Sequence, residues 1–381
     1  MKVVHLCLGA FFPDNYSYQE NMLPKFHKKM GYDVEVIASQ ETFDENGNVS
    51  YMQTVGSYQN ENDIKVTRLT YVTPENLSHK LKKYVGVYKA IAESKPDIIF
   101  MHNCQFLSIF DVIKYLKKHP EVKVFVDNHV DFSNSAKNFL SKNILHGIIW
   151  KFCAKSINKY AEKFFGVLPA RVDFLTDVYG LPKEKCELLV MGADDELIIE
   201  EILKKQREEK RNEYNVENDI VIMTGGKIDY NKPQTILLMK AINALENENV
   251  KLLVFGSVVP ELKEEFEAQL SEKVKYIGWK KSSDIYSELS VADIVAFPGL
   301  HSVLWEQTVA MGKPCIFKKI DGFTHIDIGG NCLYFGEDSV DEYTRVIKEA
   351  ISSLADLKQN AVKEERKQFL YSNIAKKSIG E

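Results

Sequence analysis

The chain has 381 residues, 45% of them apolar, and its 49 Lys+Arg against 54 Asp+Glu leave a net charge of −5. That length exceeds what one hydrophobic core usually fills and points to two domains. The lack of any run of about 18 apolar residues excludes a transmembrane helix, and an acidic chain without a recognised motif argues against nucleic-acid binding.

Val3–Leu8 reads as a buried first strand, so the start MKVVHLCLGAFFP is not expected to be a signal peptide. A loop follows over Gly9–Asn15, then a helix over Tyr18–Lys29 that stops at Gly31. Val34–Ala38, Val66–Leu69, Ile98–Met101, Val122–Val126 and Phe164–Val167 read as further strands, with helices such as Leu81–Ser94 and Ile109–Lys118 between them. Short β-branched runs alternating with amphipathic helices predict a parallel, doubly wound sheet. The polar residues 40–64 look like an inserted loop or hairpin, and the charged stretch 200–218 is the best linker candidate. A second alternating set then begins. Its strands are Ile220–Thr224, Lys251–Phe255, Val274–Ile277, Ile294–Phe297 and Cys315–Phe317, its helices include Thr235–Leu245 and Asp284–Leu289, and charged helices follow from about Val340 to Ser378. The expected fold is α/β, with two doubly wound Rossmann-like domains facing a cleft. Residues 1–197 form the first, 198–360 the second, and a C-terminal helical segment, 361–381, packs back on the first.

In such sheets ligands bind at the carboxyl ends of the strands. That directs attention to Gly9, His102, His129, Gly225, Gly256, Gly278 and Pro298. The turn Gly225-Gly226-Lys227 follows a strand, and Lys227 and Lys232, five apart, flank a loop where two ammonium groups could converge on a pyrophosphate. The alternative is a loop with two solvated lysines. The segment around His301, Ser302 and Val303 opens a helix, whose free N–H groups suit an anion, and Glu306 one turn in could accept sugar hydroxyls. The alternative there is an ordinary βαβ unit with a solvated Glu306. His129, in Asp127-Asn128-His129-Val130-Asp131, could bond a sugar hydroxyl or simply its own loop, whereas His5 and His27 read as structural.

Neither a P-loop nor a GxGxxG after the first strand is present, and no Asp-x-Asp pair offers itself to Mg²⁺ or Mn²⁺. Six scattered cysteines show no metal-ligand spacing and read as free thiols of a reducing cytoplasm. Residues 65–163 hold 17 basic and 8 acidic residues, with lysines at Lys80, Lys82, Lys83 and Lys89 and again from Lys137 to Lys163. That surface suits an anionic membrane leaflet or an anionic acceptor, or is a solvated lysine face.

Together these residues resemble the GT-B glycosyltransferases, specifically the family-four group of retaining enzymes that use nucleotide sugars, over nearly the whole chain and most strongly at 220–316. In that family an Arg and a Lys five residues on bind the donor diphosphate; the matching positions are Lys227 and Lys232, so the Arg has become Lys. The segments closed by Gly256 and by Ile277-Gly278 resemble donor-domain loops whose backbone meets the nucleotide. The family's second signature Glu, on the ribose, is nearest to Glu306, although counting back from Gly312-Lys313-Pro314 reaches Gln307. The first falls on Pro298 or Gly299, leaving His301 or Ser302 to recognise the donor sugar. The family's His near the reacting sugar matches His129, with Gly9, Tyr16, Tyr18 and His102 on the acceptor side. The start Asn15–Pro24 resembles a branch associated with bacterial surface polysaccharides.

The resemblance implies a cytoplasmic, metal-independent transferase with no cofactor, moving a sugar from a UDP-linked donor to a saccharide or lipid-linked saccharide acceptor, with a place at the inner face of the plasma membrane as a further expectation. Two other readings stay open. One is a catalytically silent GT-B subunit that stabilises an active transferase. The other is a nucleotide-sugar epimerase, disfavoured because no paired acid/base carboxylates stand out.

Overall fold

A computed structural model describes residues 1–44, 49–53, 55–136, 138–230, 233–247 and 249–381. Two compact units emerge: Met1–Val190 together with Tyr371–Glu381, and Met191–Leu370. The divisions thus fall at Val190/Met191 and Leu370/Tyr371, where the sequence reading placed them at 197/198 and 360/361.

The first unit is built on β1 (Lys2–Cys7), β2 (Asp33–Ser39), β3 (Glu41–Phe43), β4 (Val49–Tyr51), β5 (Gly56–Gln59), β6 (Lys65–Leu69), β7 (Ile98–His102), β8 (Lys123–Asn128), β9 (Ala161–Gly166) and β10 (Cys186–Leu188). Its main sheet runs β10-β9-β8-β7-β1-β2-β6-β5. All pairs are parallel except β5 with β6, an antiparallel edge supplied by the polar insert, while β3 and β4 form a separate hairpin. Central strands such as Ile98–His102 are buried at every position because helices cover both faces. The order departs from β1 in both directions, which creates a switch point between β1 and β7.

One expected helix is divided. Residues 81–94 form the end of a helix over Glu75–Leu81 and a second over Val87–Ser94, separated by left-handed Lys82 and Gly86. The break carries Tyr84 into the core, where its hydroxyl donates to the Leu8 carbonyl at 2.9 Å. Lys82 also turns inward, to the Gly9 carbonyl, and so leaves the lysine surface expected there.

In the second unit β11 (Ile220–Gly225), β12 (Val250–Phe255), β13 (Val274–Tyr276), β14 (Ile294–Phe297), β15 (Cys315–Lys318) and β16 (Cys332–Phe335) form one parallel sheet. Its order, β13-β12-β11-β14-β15-β16, is that of a dinucleotide-binding Rossmann sheet, with the switch point between β11 and β14. The last strand, β16, went unread in the sequence because Cys332–Phe335 is only four residues long and half-buried at its centre.

The charged stretch read as a linker is a helix, Glu200–Glu213, and it is part of this unit. It is held by polar contacts instead of an apolar face. Arg207 donates to the carbonyls of Ser290, Val291 and Ala292 at 2.6–2.8 Å and to Asp293 at 2.8 Å, and Arg211 reaches Asp293 at 3.1 Å. Lys210 pairs with buried Glu288 at 2.8 Å. No helix among the described residues is long and apolar enough to cross a membrane.

Candidate functional site

In the second unit the switch-point edge is made of glycine turns. Gly226 and Gly256 adopt φ of 118° and 117°, conformations that favour glycine. A Cβ on Gly256 would lie 1.8 Å from the Gly226 carbonyl oxygen, so the ends of β11 and β12 approach as only bare backbone permits. The lacing continues from Gly256 N–H to the Gly278 carbonyl at 3.0 Å and from Ile277 N–H to Val254 at 2.9 Å. Nothing lies within 4 Å of a Cβ built on Gly278. Lys227 projects beside this edge with its side chain 68% exposed, 3.6 Å from Asp229. Lys232 lies outside the described residues.

Across the switch point, β14 ends in the turn that carries His301, Ser302 and Val303, and the helix Leu304–Ala310 follows. Glu306 has no exposed surface. His301 Nε2 lies 2.8 and 3.1 Å from its two oxygens, and His325 Nε2 lies 2.8 Å from Oε1. Burial would raise the pKa of this carboxyl, but the two imidazoles outweigh it and hold the value at about 2. Aromatic rings wall the group: His301 sits edge-on to Trp305 at 5.2 Å, and Trp305 stacks on Phe317 at 4.7 Å.

This arrangement changes the reading of Glu306. Both oxygens of this buried carboxylate already face imidazole nitrogens, so a ribose would have to share them. Gln307, the alternative position by spacing, is also buried, with 8% exposure. His325 was missed in the sequence, since it comes from the loop after β15 and meets Glu306 only in the fold. Two imidazole nitrogens and a carboxylate oxygen within 4.8 Å of one another could also hold a divalent cation.

In the first unit, the switch point is equally tight: a Cβ on Gly9 would lie 2.9 Å from both the Asn103 Cβ and the His102 carbonyl oxygen. His129 follows β8 and is partly buried, with Nε2 at 3.2 Å from Asp127 Oδ2 and 3.9 Å from Glu20 Oε1. The Asp127 contact is close enough for ion pairing but is not aligned as a hydrogen bond. Burial lowers the pKa of His129, yet Asp127 and Glu20 outweigh it and raise it. Asn103 fixes the backbone by accepting the His129 N–H at 2.8 Å. Tyr16 and Tyr18 are exposed and pack against Phe43 at 5.7 and 6.4 Å.

His102 is not a surface group. It is wholly buried, with Nδ1 on Asp127 at 2.8 Å and Nε2 on His5 at 3.0 Å. It therefore has no contact to offer an acceptor directly. Both of its ring nitrogens are thus engaged, although Glu20, His102 and His129 approach one another.

One family match falls on the second unit. Residues 206–368 match the glycosyl transferases group 1 family. The matched segment begins inside the Glu200–Glu213 helix and contains the whole β11–β16 sheet, both glycine turns and the His301–Glu306–His325 cluster. The complete fold is GT-B. HepE from Anabaena, solved with UDP, is similar over 99% of this chain and 98% of its own, at 16% identity and a TM-score of 0.68. WaaG, a glycosyltransferase involved in lipopolysaccharide biosynthesis, is similar over 100% of both chains, at 13% identity and a TM-score of 0.65. The UDP-GlcNAc 2-epimerase of Neisseria meningitidis, bound to UDP-GlcNAc, covers 99% of this chain and 98% of its own at 14% identity and a TM-score of 0.64. At these identities the likeness is one of fold. No curated protein matches the chain significantly in sequence.

Proposed function

We propose that the chain transfers a sugar from a UDP-linked donor to a saccharide or lipid-linked saccharide acceptor, with retention and without a bound metal. The observation that carries this reading is the matched group 1 segment itself, whose glycine turns and His301 turn lie at the β11/β14 switch point, where such sheets bind nucleotides. Solved neighbours hold UDP and UDP-GlcNAc on the same fold, which supports the choice of donor.

The roles follow from placement and, for Lys232, from its position in the sequence. Backbone at Gly226, Gly256, Ile277 and Gly278 meets the nucleotide, and Lys227, Lys232 and the amides of His301–Val303 neutralise the departing diphosphate. Preorganised positive charge at a leaving group stabilises the transition state more than the ground state. Glu306, enclosed as it is, orients His301, and His301 faces the donor sugar in place of the carboxylate that Pro298 and Gly299 lack. The acceptor belongs to the first unit, with His129, His102 as its buried support, and the loop bearing Gly9, Tyr16 and Tyr18. Release of UDP from a UDP-sugar with acceptor present tests this, with and without EDTA. Undiminished release after chelation is the expected result. Loss that Mg²⁺, Mn²⁺ or Zn²⁺ restores would overturn the metal-free step and turn attention to His301, Glu306 and His325. Tight donor binding with no UDP release would favour the second reading, a catalytically silent GT-B partner of an active transferase, which Pro298 and Lys227 at two family positions motivate.

A cytoplasmic site at the inner membrane face is part of the same proposal. The helix over Leu140–Ile157 exposes Leu140, Ile144, Ile148 and Phe152, with exposed Phe139 just before it and Phe110 against Phe152 at 5.6 Å. Residues 132–161 contain five lysines and no acid. Apolar side chains at four-residue spacing beside lysines suit an anionic bilayer surface. The chain is expected to sediment with vesicles containing phosphatidylglycerol, and not with pure phosphatidylcholine. Ile148→Asp with Phe152→Asp should abolish that binding. Equal sedimentation of the double variant would remove this face from membrane contact.

A further inference from the structure

The first unit contains a line of buried side chains of which the proposed transfer uses only one end, His102. His27, on the helix Gln19–Lys29, approaches the Ala375 carbonyl oxygen and the Ser378 hydroxyl of the C-terminal helix through Nε2, each at 3.0 Å. Its Nδ1 lies 3.0 Å from His5 Nε2, and His5 Nδ1 lies 3.0 Å from His102 Nε2. His102 Nδ1 then meets Asp127 Oδ2 at 2.8 Å, and that same oxygen faces His129. None of His5, His27, His102 and Asp127 has exposed surface, and the three imidazoles stack at 5.1 and 5.3 Å.

The direction of this line can be read from its end. A carbonyl oxygen only accepts, and the Ser378 hydroxyl already donates to that carbonyl at 2.7 Å. His27 Nε2 must therefore carry a hydrogen. Burial holds the pKa of His27 down at about 4 and that of His5 well below normal, so neither ring takes a second proton. A neutral His27 has a bare Nδ1, which obliges His5 Nε2 to donate. By the same step, His102 Nε2 donates to His5 Nδ1. His102 Nδ1 is left pointing at a carboxylate oxygen, and two lone pairs at that separation would repel. The bond needs a proton of its own.

We propose that the C-terminal helix, acting through His27 and His5, forces an extra proton into the His102–Asp127 bond, so that this pair meets His129 with no net charge and serves as its positioning group. The idea rests on the acceptor-side role assigned to His129. The other charges facing His129 are Glu20, on the helix Gln19–Lys29, and Arg171, which is itself paired with Asp131 at 3.0 Å. Cys7 and Cys104 also feel Asp127, but burial raises both thiols and leaves them uncharged. Cutting the line would let His102 keep only its Nδ1 hydrogen. The pair would then carry a full negative charge, and His129 would hold its proton to higher pH by on the order of one unit.

The full chain labelled with ¹⁵N-histidine tests this directly. Long-range ¹H–¹⁵N spectra at neutral pH should show Nε2–H tautomers for His5 and His27, with both His102 nitrogens protonated. His27→Phe cuts the line, whereas His27→Gln keeps a donor toward Ala375 and an acceptor toward His5. The Phe variant should raise the His129 titration by about one pH unit, and the Gln variant should leave it in place. A single ring hydrogen on His102 in the unsubstituted chain, or identical His129 titrations in the two variants, overturns the proposal. Both readouts are spectroscopic, so they stand whether or not UDP is released. The spectrum of the unsubstituted chain decides the matter even if the Phe variant fails to fold.

Discussion

Asp293→Ala is expected to destabilise the second unit by about 3–5 kcal/mol, the range for removing one partner from a buried charge network. Asp293 stands just before β14 and accepts from Val221 N–H at 3.0 Å, Arg207 at 2.8 Å, Arg211 at 3.1 Å and Lys358 at 3.1 Å. Without it, two guanidinium groups remain in a crowded site that already holds Lys313, whose pKa burial pushes down to about 7. Burial acts to raise the Asp293 pKa, but the Val221 amide, Arg207 and Lys358 outweigh it, so the folded value lies below the unfolded one. A depressed carboxyl contributes stability that is present above its unfolded pKa and lost as pH falls through the folded value. The difference between Asp293→Ala and the parent should therefore be full at neutral pH and shrink in strong acid. Thermal unfolding followed by circular dichroism should show a fall of about 6–20 °C for a unit of this size. Arg345→Ala, at a side chain 59% exposed, serves as the contrast and should change little. An unmoved midpoint in Asp293→Ala would show that the network is not what docks the Glu200–Glu213 helix.

The second large effect concerns the donor. His301→Ala should weaken an intact UDP-sugar about 10- to 150-fold, the equivalent of one charge-assisted hydrogen bond of about 1.5–3 kcal/mol, while UDP alone loses much less. The reason is position: His301 lies in the turn after β14, near where Pro298 offers no acceptor, and its Nε2 is committed to Glu306. Its Nδ1 has no hydrogen-bond partner among the described residues, which leaves that nitrogen for the hexose. Glu306→Gln should show the same pattern in weaker form. An amide NH₂ in place of Oε2, which His301 Nε2 approaches at 3.1 Å, loosens His301 without removing it. Calorimetric titration of UDP and UDP-sugar into both variants separates the possible roles. Equal losses for the two ligands in Glu306→Gln would mean that this carboxylate does hold the ribose and that the enclosed geometry opens on binding.

Much of the architecture is a local signal. Runs such as Ile98–His102 and Val250–Phe255 are apolar through both faces, and the helices between them carry one apolar stripe, so the doubly wound class follows from periodicity alone. Gly226, Gly256 and Gly278 announce themselves because they stand where strands end. Partners distant in sequence left no such mark. The helix Glu200–Glu213 reads as a solvated linker because its docking face is made of arginines whose acceptors in residues 290–293 lie 80 to 86 positions away. Glu306 reads as a free acceptor until the fold brings His325 to it, 19 positions on. His5, His27 and His102 look like isolated core histidines, yet they join across separations of 22 and 97, and the line ends on a helix 348 positions beyond His27. Burial pattern is a property of a few neighbouring residues, so the sequence by itself determined the central strands of both sheets and their glycine edges. Which polar groups neutralise one another inside the protein depends on distances that only the folded chain sets, so tertiary structure alone decided the partners of Glu306, His102 and His129.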